Sequence, residues 1–191
     1  MSSTFTRRLR DLAQILFFAA VVHPFVTLFI GLRVRGRHNL PGRDPFILIA
    51  NHSSHLDTVS LLSLFPLGRL RKIHPCAAAD YFGRTRLTAC LSHTFFNVLL
   101  VARVKITPDT NPIPRMREAL GRGESLILYP EGSRGSGETM AAFKTGIAHL
   151  LEEVPGVPVV PAYLVNMGRS LPKGEYLPVP FICEVRIGVP R

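Results

Sequence analysis

The chain has 191 residues, enough for one domain, and its hydrophobic fraction of 47% supplies a sizeable core. Its cysteines, Cys76, Cys90 and Cys183, are widely spaced, which argues against a disulfide framework or structural zinc and favours reduced thiols. The formal net charge of +10 predicts an anionic partner, either nucleic acid, an anionic bilayer or phosphate-bearing substrates.

The distribution of the positive charge favours a membrane. Residues 1–37 contain a single acid, Asp11, and six arginines, Arg7, Arg8, Arg10, Arg33, Arg35 and Arg37. Six positive charges less one negative give +5, half of the formal total of +10. These arginines flank a long apolar run and do not alternate with aromatic residues. The pattern predicts contact with an anionic membrane surface and not with nucleic acid.

The apolar run extends from Leu12 to Leu32 without a formal charge. As a straight helix it would be about 31 Å long, close to the thickness of the hydrocarbon layer. No small-residue cleavage site follows it, which argues against a signal peptide, and Pro24 predicts a kink. Arginines at both ends give no charge asymmetry to orient a span. A bent element inserted into one leaflet is favoured, while a true span and a buried core helix remain open. Residues 1–37 are therefore predicted to form a membrane-docking segment, and residues 38–191 the domain that follows it.

After Arg37, short apolar runs alternate with amphipathic segments. The runs predict strands at Phe46–Ala50, Ile73–Ala79, Val98–Ile106, Ser125–Tyr129, Val157–Leu164 and Phe181–Ile187. Helices are predicted at Asp57–Phe65, Arg84–His93, Arg115–Leu120 and Phe143–Glu152. This alternation predicts a three-layer α/β domain with a largely parallel central sheet. The chain stops soon after the last predicted strand, which suggests a shortened version of a longer architecture.

The segment Asn51–Asp57 follows the first buried strand and contains both a histidine and a carboxylate. His52 and Asp57 could not meet on one regular helix, but they could meet if His52 lies in the turn and Asp57 in the first helical turn. There the carboxylate would orient the imidazole, which could then take a proton directly from a substrate hydroxyl. Two other interpretations remain open: plain helix capping, and a metal site made of His52, His55 and Asp57.

Two further segments carry candidate cations. Tyr129–Arg134 follows another buried strand, and a glycine-flanked turn there could bind a phosphate through Arg134, with Lys144 adding a second charge. Arg103 closes a third apolar strand and would point to the same sheet edge, with Lys105 on the same face. Each of these segments taken alone is also compatible with a solvated loop or a structural arginine.

Taken together, these blocks resemble the glycerolipid acyltransferase family, which includes the 1-acylglycerol-3-phosphate acyltransferases. The family's N-H-x-S-x-x-D box, arginine-ending strand, F-P-E-G-T/S-R box and V-P-hydrophobic-hydrophobic-P strand correspond in order to Asn51–Asp57, Asn97–Arg103, Tyr129–Arg134 and Val157–Pro161. Two positions depart from the pattern: Asn97 stands where the family usually has glycine, which could alter the acceptor pocket, and Tyr129 replaces phenylalanine.

The resemblance implies transfer of a fatty acyl group from acyl-CoA or acyl-carrier protein to a lysophospholipid, most simply 1-acylglycerol-3-phosphate. It implies His52 as general base, Asp57 as its orienting partner, and an acceptor site formed by Arg103, Glu131, Gly132 and Arg134, with Ser133 in the same box. No metal or cofactor is expected beyond the acyl donor. The oxyanion donors are expected among backbone N–H groups near Asn51–Ser54 or Gly132. The expected location is the cytoplasmic face of the inner membrane. Other lipid acceptors, glycerol-3-phosphate, and a non-catalytic membrane-binding role are the alternatives.

Overall fold

A seven-stranded sheet forms the centre of the molecule in the computed structural model, which describes residues 2–79, 85–102, 107–135, 140–172, 174–175 and 177–191. The strands are β1 (Arg33–Arg35), β2 (Ile47–Ala50), β3 (Ile73–Ala78), β4 (Leu99–Val101), β5 (Ser125–Leu128), β6 (Val159–Val165) and β7 (Glu184–Ile187). The helices are α1 (Ser2–Phe17), α2 (Leu56–Leu62), α3 (Arg86–Phe96), α4 (Ile113–Gly121), α5 (Gly146–Glu153) and α6 (Met167–Ser170). Short 3₁₀ turns occupy Arg37–Asn39, Leu67–Lys72 and Pro108–Thr110.

The strand order is β1-β7-β6-β2-β5-β3-β4, and only the β6–β7 pair is antiparallel. This confirms the predicted α/β fold with a largely parallel sheet. Strand β1, with its two exposed arginines, was not predicted, because its three residues carry no apolar run and are held by pairing with β7. The last strand begins at Glu184 and not at Phe181, since residues 177–182 lie outside the sheet.

Two apolar clusters pack on opposite faces of the sheet and make the three layers. Residues of β2 alternate between them: Leu48 and Ala50 face one cluster and Ile47 the other. The first cluster includes Phe18 of the N-terminal helical segment and Leu61 of α2, whereas the second includes residues of α4 and α5. Helices therefore cover both faces, as a parallel sheet requires.

The N-terminal segment is helical beyond α1, through π-helical turns at Phe18–Val22 and Phe25–Phe29. Pro24, where the sequence predicted a kink, keeps helical backbone angles between these turns, because each π turn absorbs a local irregularity of the hydrogen-bond ladder. The helix Phe5–Phe29 is long and apolar enough to cross a membrane by length and composition, although such a test is also passed by signal sequences and core helices. Only 22% of its apolar window is buried, so it is not a core helix.

One face of this helix nevertheless packs on the domain. Four apolar residues spaced by four, Phe18, Val22, Val26 and Ile30, are buried in the first cluster. Farther toward the N-terminus, Phe17 contacts Phe95 of α3 with ring centroids 4.7 Å apart, and Gln14 donates a hydrogen bond to the Phe95 carbonyl. The helix is thus attached to the rest of the chain from Arg10, whose guanidinium contacts His93, to Ile30.

The carboxyl ends of β2, β5 and β6 define one edge of the sheet, here called the carboxyl edge. Because β7 runs antiparallel to β6, and Val165 pairs with Glu184, the amino end of β7 also lies at this edge. Arg33 pairs with Glu184, so β1 begins there as well. The N-terminal helix therefore ends beside the carboxyl edge, where the predicted chemistry is located.

Candidate active site

The turn between β2 and α2 is built around the Asp57 carboxylate. Its Oδ2 atom accepts hydrogen bonds from the backbone N–H groups of Ser53, at 2.7 Å, and Ser54, at 2.8 Å. The same oxygen lies 2.8 Å from His52 Nδ1, and Asp57 is fully buried. The predicted contact between His52 and Asp57 is therefore present, and the same carboxylate oxygen also binds two N–H groups of the turn before α2, whose N-cap, His55, makes no side-chain cap hydrogen bond.

The contact with Asp57 determines which nitrogen of His52 can act as a base. A carboxylate oxygen only accepts, so Nδ1 carries the proton in this hydrogen bond and Nε2 is left as the acceptor nitrogen. The imidazole side chain is 19% exposed, enough for a small hydroxyl to approach. The arrangement can abstract a proton and then stabilise the resulting imidazolium through Asp57.

Tyr129, at the end of β5, packs its ring against His52. The ring centroids are 4.1 Å apart and the planes differ by 17°, which is a stacked geometry. The Tyr129 hydroxyl is 2.8 Å from Thr58 Oγ1 on α2, which fixes the ring. Burial and the negative charge of Asp57 raise the pKa of Tyr129 well above its usual range, so the phenol stays neutral.

Glu131, in the box Tyr129–Arg134, links Ala141 to the turn between β2 and α2 that carries His52, here called the histidine turn. Its Oε1 atom accepts the backbone N–H of His52 at 2.8 Å, and its Oε2 atom accepts the backbone N–H of Ala141 at 2.8 Å. Gly135 donates its N–H to the His52 carbonyl, also at 2.8 Å. Both backbone groups of His52 are thus held by this box. Since Glu131 is 4% exposed and both oxygens are used, its geometry is that of a positioning residue.

Gly132 and Lys144 lie together beyond Glu131. Gly132 has a φ of 73°, and a Cβ atom there would lie 3.3 Å from Lys144 Cγ, so both the backbone and the space favour glycine. The Lys144 N–H donates to the Pro130 carbonyl, which leaves its exposed side chain beside the turn. Ser133 is exposed, and Arg134 is half-buried.

Arg134 belongs to the same site as the two histidines of the first box. Burial and the nearby charges of Arg134 and His52 lower the pKa of His55, and Asp57 only partly opposes them. Among the described residues, no group of three or more His, Cys, Asp or Glu side chains could hold a metal ion. His52 and Asp57 are in contact, and Arg134 lies near them at the carboxyl edge, because its neighbour Gly135 donates its N–H to the His52 carbonyl.

Arg103, and Lys105 with it, lie outside the described residues. The strand that precedes them, β4, is parallel to β3 and is the outermost strand on that side of the sheet, three positions from β2. At about 4.8 Å per strand, the β4 and β2 axes are about 14 Å apart.

The backbone donors expected for an oxyanion are already engaged. His52 N–H is bonded to Glu131, those of Ser53 and Ser54 to Asp57, and that of Gly132 to the Tyr129 carbonyl. These four N–H groups are therefore occupied in this conformation, and the expectation of an oxyanion hole near Asn51–Ser54 or Gly132 stays a prediction.

A pocket of about 410 Å³ adjoins the histidine turn on the side of the sheet covered by α5. Its walls are mainly apolar and include Ile49, Ala162, Tyr163, Met140 and Phe143, with Arg186 also lining it. The size lies in the range of small-molecule sites. Ala141, which is bonded to Glu131, lies directly beside the pocket residue Met140, so one carboxylate connects the pocket to His52.

Comparison with known families agrees with the site. A family model described as "Acyltransferase" matches residues 31–165, which is more than half of the chain and includes both boxes. The chain belongs to the acyltransferase family. This confirms the resemblance seen in the ordered blocks of the sequence.

Several curated members of the family are similar to this chain. A chloroplast 1-acyl-sn-glycerol-3-phosphate acyltransferase of Brassica napus is 30% identical over 143 residues, covering 74% of this chain and 39% of the relative. The human alpha enzyme of the same name is 26% identical over 161 residues, covering 83% and 54%. The Saccharomyces cerevisiae enzyme is 33% identical over 140 residues, covering 70% and 44%. The chain thus spans about two fifths to one half of the length of these relatives.

A solved structure shares the fold. The crystal structure of the 1-acyl-sn-glycerophosphate acyltransferase PlsC from Thermotoga maritima matches 97% of this chain and 86% of its own, with a TM-score of 0.68 and 19% identity. At this identity the likeness supports the fold alone. It includes the N-terminal helix, since the matched part is nearly the whole chain.

Asn97, the departure from the acyltransferase family's usual glycine, has a structural explanation. It ends α3 with a φ of 54°, a conformation in which asparagine is the usual substitute for glycine. Its amide donates to the Arg71 and Ile73 carbonyls at 3.0 and 3.3 Å, and the residue is 3% exposed. The asparagine therefore stabilises the junction of α3 and β4, where its bonds are to Arg71 and Ile73 and not to the histidine turn.

Sequence reasoning missed two positioning groups of the site. The sequence pattern marks Tyr129 only as a replacement for the family's phenylalanine, although its position at the end of a buried strand was a usable signal. Asn51 exchanges two hydrogen bonds with the Leu164 backbone, at 2.9 and 2.7 Å, and so prolongs the β2–β6 pairing by one residue. No sequence signal identifies that partner, because it is 113 residues away.

Proposed function

We propose that this chain transfers a fatty acyl group from an acyl thioester to the free hydroxyl of 1-acylglycerol-3-phosphate, giving phosphatidate, with His52 as general base. The observation that carries the proposal is the single Asp57 oxygen that binds His52 Nδ1 and the two following N–H groups. This contact presets the imidazole tautomer needed for proton abstraction. The names of the curated relatives supply the acceptor class.

In the proposed reaction, His52 Nε2 accepts the hydroxyl proton while the hydroxyl oxygen attacks the thioester carbonyl. A tetrahedral intermediate forms, and Asp57 stabilises the imidazolium. The intermediate collapses by breaking the carbon–sulfur bond, and the thiolate takes the proton from the imidazolium. The products are the new ester and a free thiol, and His52 returns to its starting state. These reaction steps require no covalent acyl-enzyme, metal or redox cofactor.

The acceptor phosphate is proposed to bind at the turn of residues 132–134 with Arg134 and Lys144, and with Arg103 from the end of the second block. Arg134 supports this role because its charge already acts on His55, one turn from the base. A guanidinium can bind two phosphate oxygens at once. Ser133, exposed in the same turn, would donate a hydroxyl hydrogen bond. Glu131 contributes by positioning His52 rather than by touching the acceptor.

An acyl chain is proposed to occupy the 410 Å³ pocket beside the histidine turn, since its walls are mainly apolar.

The protein is proposed to work at the cytoplasmic face of the inner membrane, where acyl-CoA or acyl-carrier protein is available. The arginines of residues 1–37 would each contribute about 1 kcal/mol near an anionic surface. The exposed side chains of Phe5, Leu9, Leu12 and Leu16 would enter one leaflet.

The test compares membranes that contain the wild-type chain, His52→Ala or His149→Ala at equal abundance, with acyl-CoA and 1-acylglycerol-3-phosphate. His149 is a matched control because it lies on α5 with a 66% exposed side chain. Loss of the base is expected to reduce the rate by about 10²–10⁴-fold, with His149→Ala unaffected. Full activity of His52→Ala would contradict the base assignment.

Donor and acceptor are decided in the same assay. Acyl-carrier protein replaces acyl-CoA in one series, and glycerol-3-phosphate or a neutral lysolipid replaces the acceptor in another. Arg134→Ala is expected to raise the KM for the phosphate-bearing acceptor more than that for the donor. An acceptor KM that does not change would reject the phosphate assignment, and loss of activity on chelation would restore the metal interpretation.

A further inference from the structure

In addition to the N-terminal helix, the chain has an exposed apolar loop, which lies at the carboxyl edge. Residues 177–182, here called the apolar loop, expose four large side chains: Leu177 (85%), Val179 (49%), Phe181 (43%) and Ile182 (56%). Two prolines, Pro178 and Pro180, alternate with them. Such a row of exposed apolar side chains is unusual for a surface in contact with water alone.

The backbone of the apolar loop is already hydrogen-bonded to the domain. Val179 donates its N–H to the Ser170 carbonyl at 2.8 Å and accepts from Ser170 Oγ at 2.7 Å. The Ile182 carbonyl accepts from Asn166 Nδ2 at 3.0 Å. Pro178 and Pro180 have no N–H to satisfy. These three bonds and the two missing N–H groups reduce the number of backbone polar groups that must lose water, which lowers the cost of moving the loop into a lipid interface.

The loop continues the surface of the N-terminal helix. The Arg33 N–H, just after that helix, donates to the Cys183 carbonyl, just after the loop, at 2.9 Å. The last turn of the helix exposes Leu28 (84%) and Phe29 (45%). Both apolar segments therefore meet at the end of the sheet that carries His52.

The charge around this junction is positive. Arg33 and Arg35 are exposed on β1, and Arg186 is exposed on β7. Glu184, the neighbouring acid, contacts Arg35 and Arg186 at 2.9 Å each, so two arginines surround one carboxylate. A surface of exposed apolar side chains with flanking arginines complements an anionic phospholipid bilayer.

We infer that the apolar loop 177–182 is a second membrane contact, which inserts its side chains at the interface of an anionic bilayer and holds the carboxyl edge against it. The N-terminal helix attaches the chain to the membrane, and the loop sets which edge of the domain faces the lipid. The lipid acceptor then reaches His52 without leaving the bilayer. That last step rests on the proposed function, whereas the contact itself does not.

The chain contains no tryptophan, so a single introduced tryptophan is a unique fluorescent probe. Leu177→Trp reports on the loop. Val189→Trp is the matched control, because Val189 is also apolar and 69% exposed but follows the opposite end of β7. Each full chain is reconstituted into phosphatidylcholine–phosphatidylglycerol vesicles, with or without brominated acyl chains as a quencher.

Strong quenching of Leu177→Trp by the brominated lipid, with Val189→Trp little affected, is the expected result. Equal quenching of the two, or none at position 177, would overturn the inference. Blue-shifted emission of Leu177→Trp without quenching would also overturn it, since the loop would then be covered by protein and not by lipid.

A second measurement tests the consequence for the reaction. The Leu177→Asp/Ile182→Asp double variant is expected to raise the KM several-fold for an acceptor embedded in vesicles and to leave that for a short-chain, water-soluble acceptor unchanged. Equal loss with both acceptors would reject the orienting role. If the wild-type chain transfers acyl groups to no acceptor, the proposed function fails, but the quenching result still decides whether the loop contacts lipid.

Discussion

The imidazole of His52 lies flat against the ring of Tyr129, with 4.1 Å between centroids and 17° between planes. Asp57 fixes the imidazole at one nitrogen, but a single hydrogen bond still allows the ring to rotate about it. The aromatic face removes that freedom. Thr58 in turn holds Tyr129 through its hydroxyl, so α2 supplies both the carboxylate and the support for the stacked ring.

Replacing Tyr129 separates stacking from hydrogen bonding. Tyr129→Phe keeps the ring and loses only the Thr58 contact, so kcat is expected to stay close to wild type. Tyr129→Leu loses the stack, which is worth up to about 1.5 kcal/mol and corresponds to about a tenfold fall in kcat. Steady-state kcat and KM of the two variants measure the difference. A Phe variant as slow as the Leu variant would show that the hydroxyl, and not the stack, is what matters.

Glu131→Gln tests the buried carboxylate that accepts two N–H groups. Glutamine has one oxygen, so its amide N–H would face a backbone N–H of His52 or Ala141, and that donor would lose its partner. The free energy of unfolding is expected to fall by about 1–3 kcal/mol, together with kcat. Thermal unfolding in detergent and acyl transfer measure the two effects.

Glu118→Gln serves as the control for the glutamate substitution. Glu118 is on α4 with a 72% exposed side chain, and its contact with Arg122 is a surface ion pair. Its loss is expected to change stability by less than about 1 kcal/mol. If Glu131→Gln had as little effect, both hydrogen bonds would be dispensable for the position of His52.

The sequence was sufficient for most of the sheet and for the contact between His52 and Asp57, because both depend on local patterns. Short apolar runs between helical segments predicted a parallel sheet, and Asn51–Asp57 directly after a strand predicted where His52 meets Asp57. Strand β1 could not be found in this way, since Arg33–Arg35 forms only by pairing with β7, about 150 residues later in the chain. The partner of the His52 N–H could not be found either, because Glu131 is 79 residues away in the chain.

Substitutions of Asn97 test whether this residue stabilises the fold or takes part in binding the lipid acceptor. Asn97→Gly keeps the positive φ and loses the amide bonds, so the free energy of unfolding is expected to fall by about 1 kcal/mol. Asn97→Ala adds backbone strain, for a total of about 2–3 kcal/mol. Acceptor KM is expected to be unchanged in both. Thermal unfolding and kinetics check this, and a changed acceptor KM with unchanged stability would place Asn97 in the acceptor pocket after all.

The lowered pKa of His74 predicts how the free energy of unfolding depends on pH. Burial lowers its pKa, and the nearby Arg122 and His93 charges act in the same direction, while Glu124 and the Asn97 carbonyl oppose them. The folded pKa thus lies below the ordinary histidine value of about 6.5, so the unfolded chain binds more protons. The free energy of unfolding is therefore expected to be highest above about pH 6.5 and to fall as the pH drops from there toward the lowered value.

The pH dependence is measured as the thermal midpoint between about pH 7.5 and about pH 5.5. His74→Gln is expected to flatten part of the slope, and the remainder comes from His55 and His93, whose pKa values burial also lowers. His149→Gln, on an exposed side chain, is expected to keep the full slope. A midpoint that rises on acidification would mean that the sign is wrong.

Ile49→Phe tests whether the pocket beside the histidine turn holds an acyl chain. Ile49 lines the pocket on β2, on the face of the sheet that α5 covers, and the larger side chain would displace about two methylene groups. At about 0.8 kcal/mol each, their loss is expected to lower kcat/KM for long-chain donors about tenfold, whereas short-chain donors are unaffected. Ala148→Phe, at an exposed alanine on α5, is the matched control. Competition between acyl donors of different length measures the preference, and an unchanged preference in Ile49→Phe would show that the acyl chain binds elsewhere.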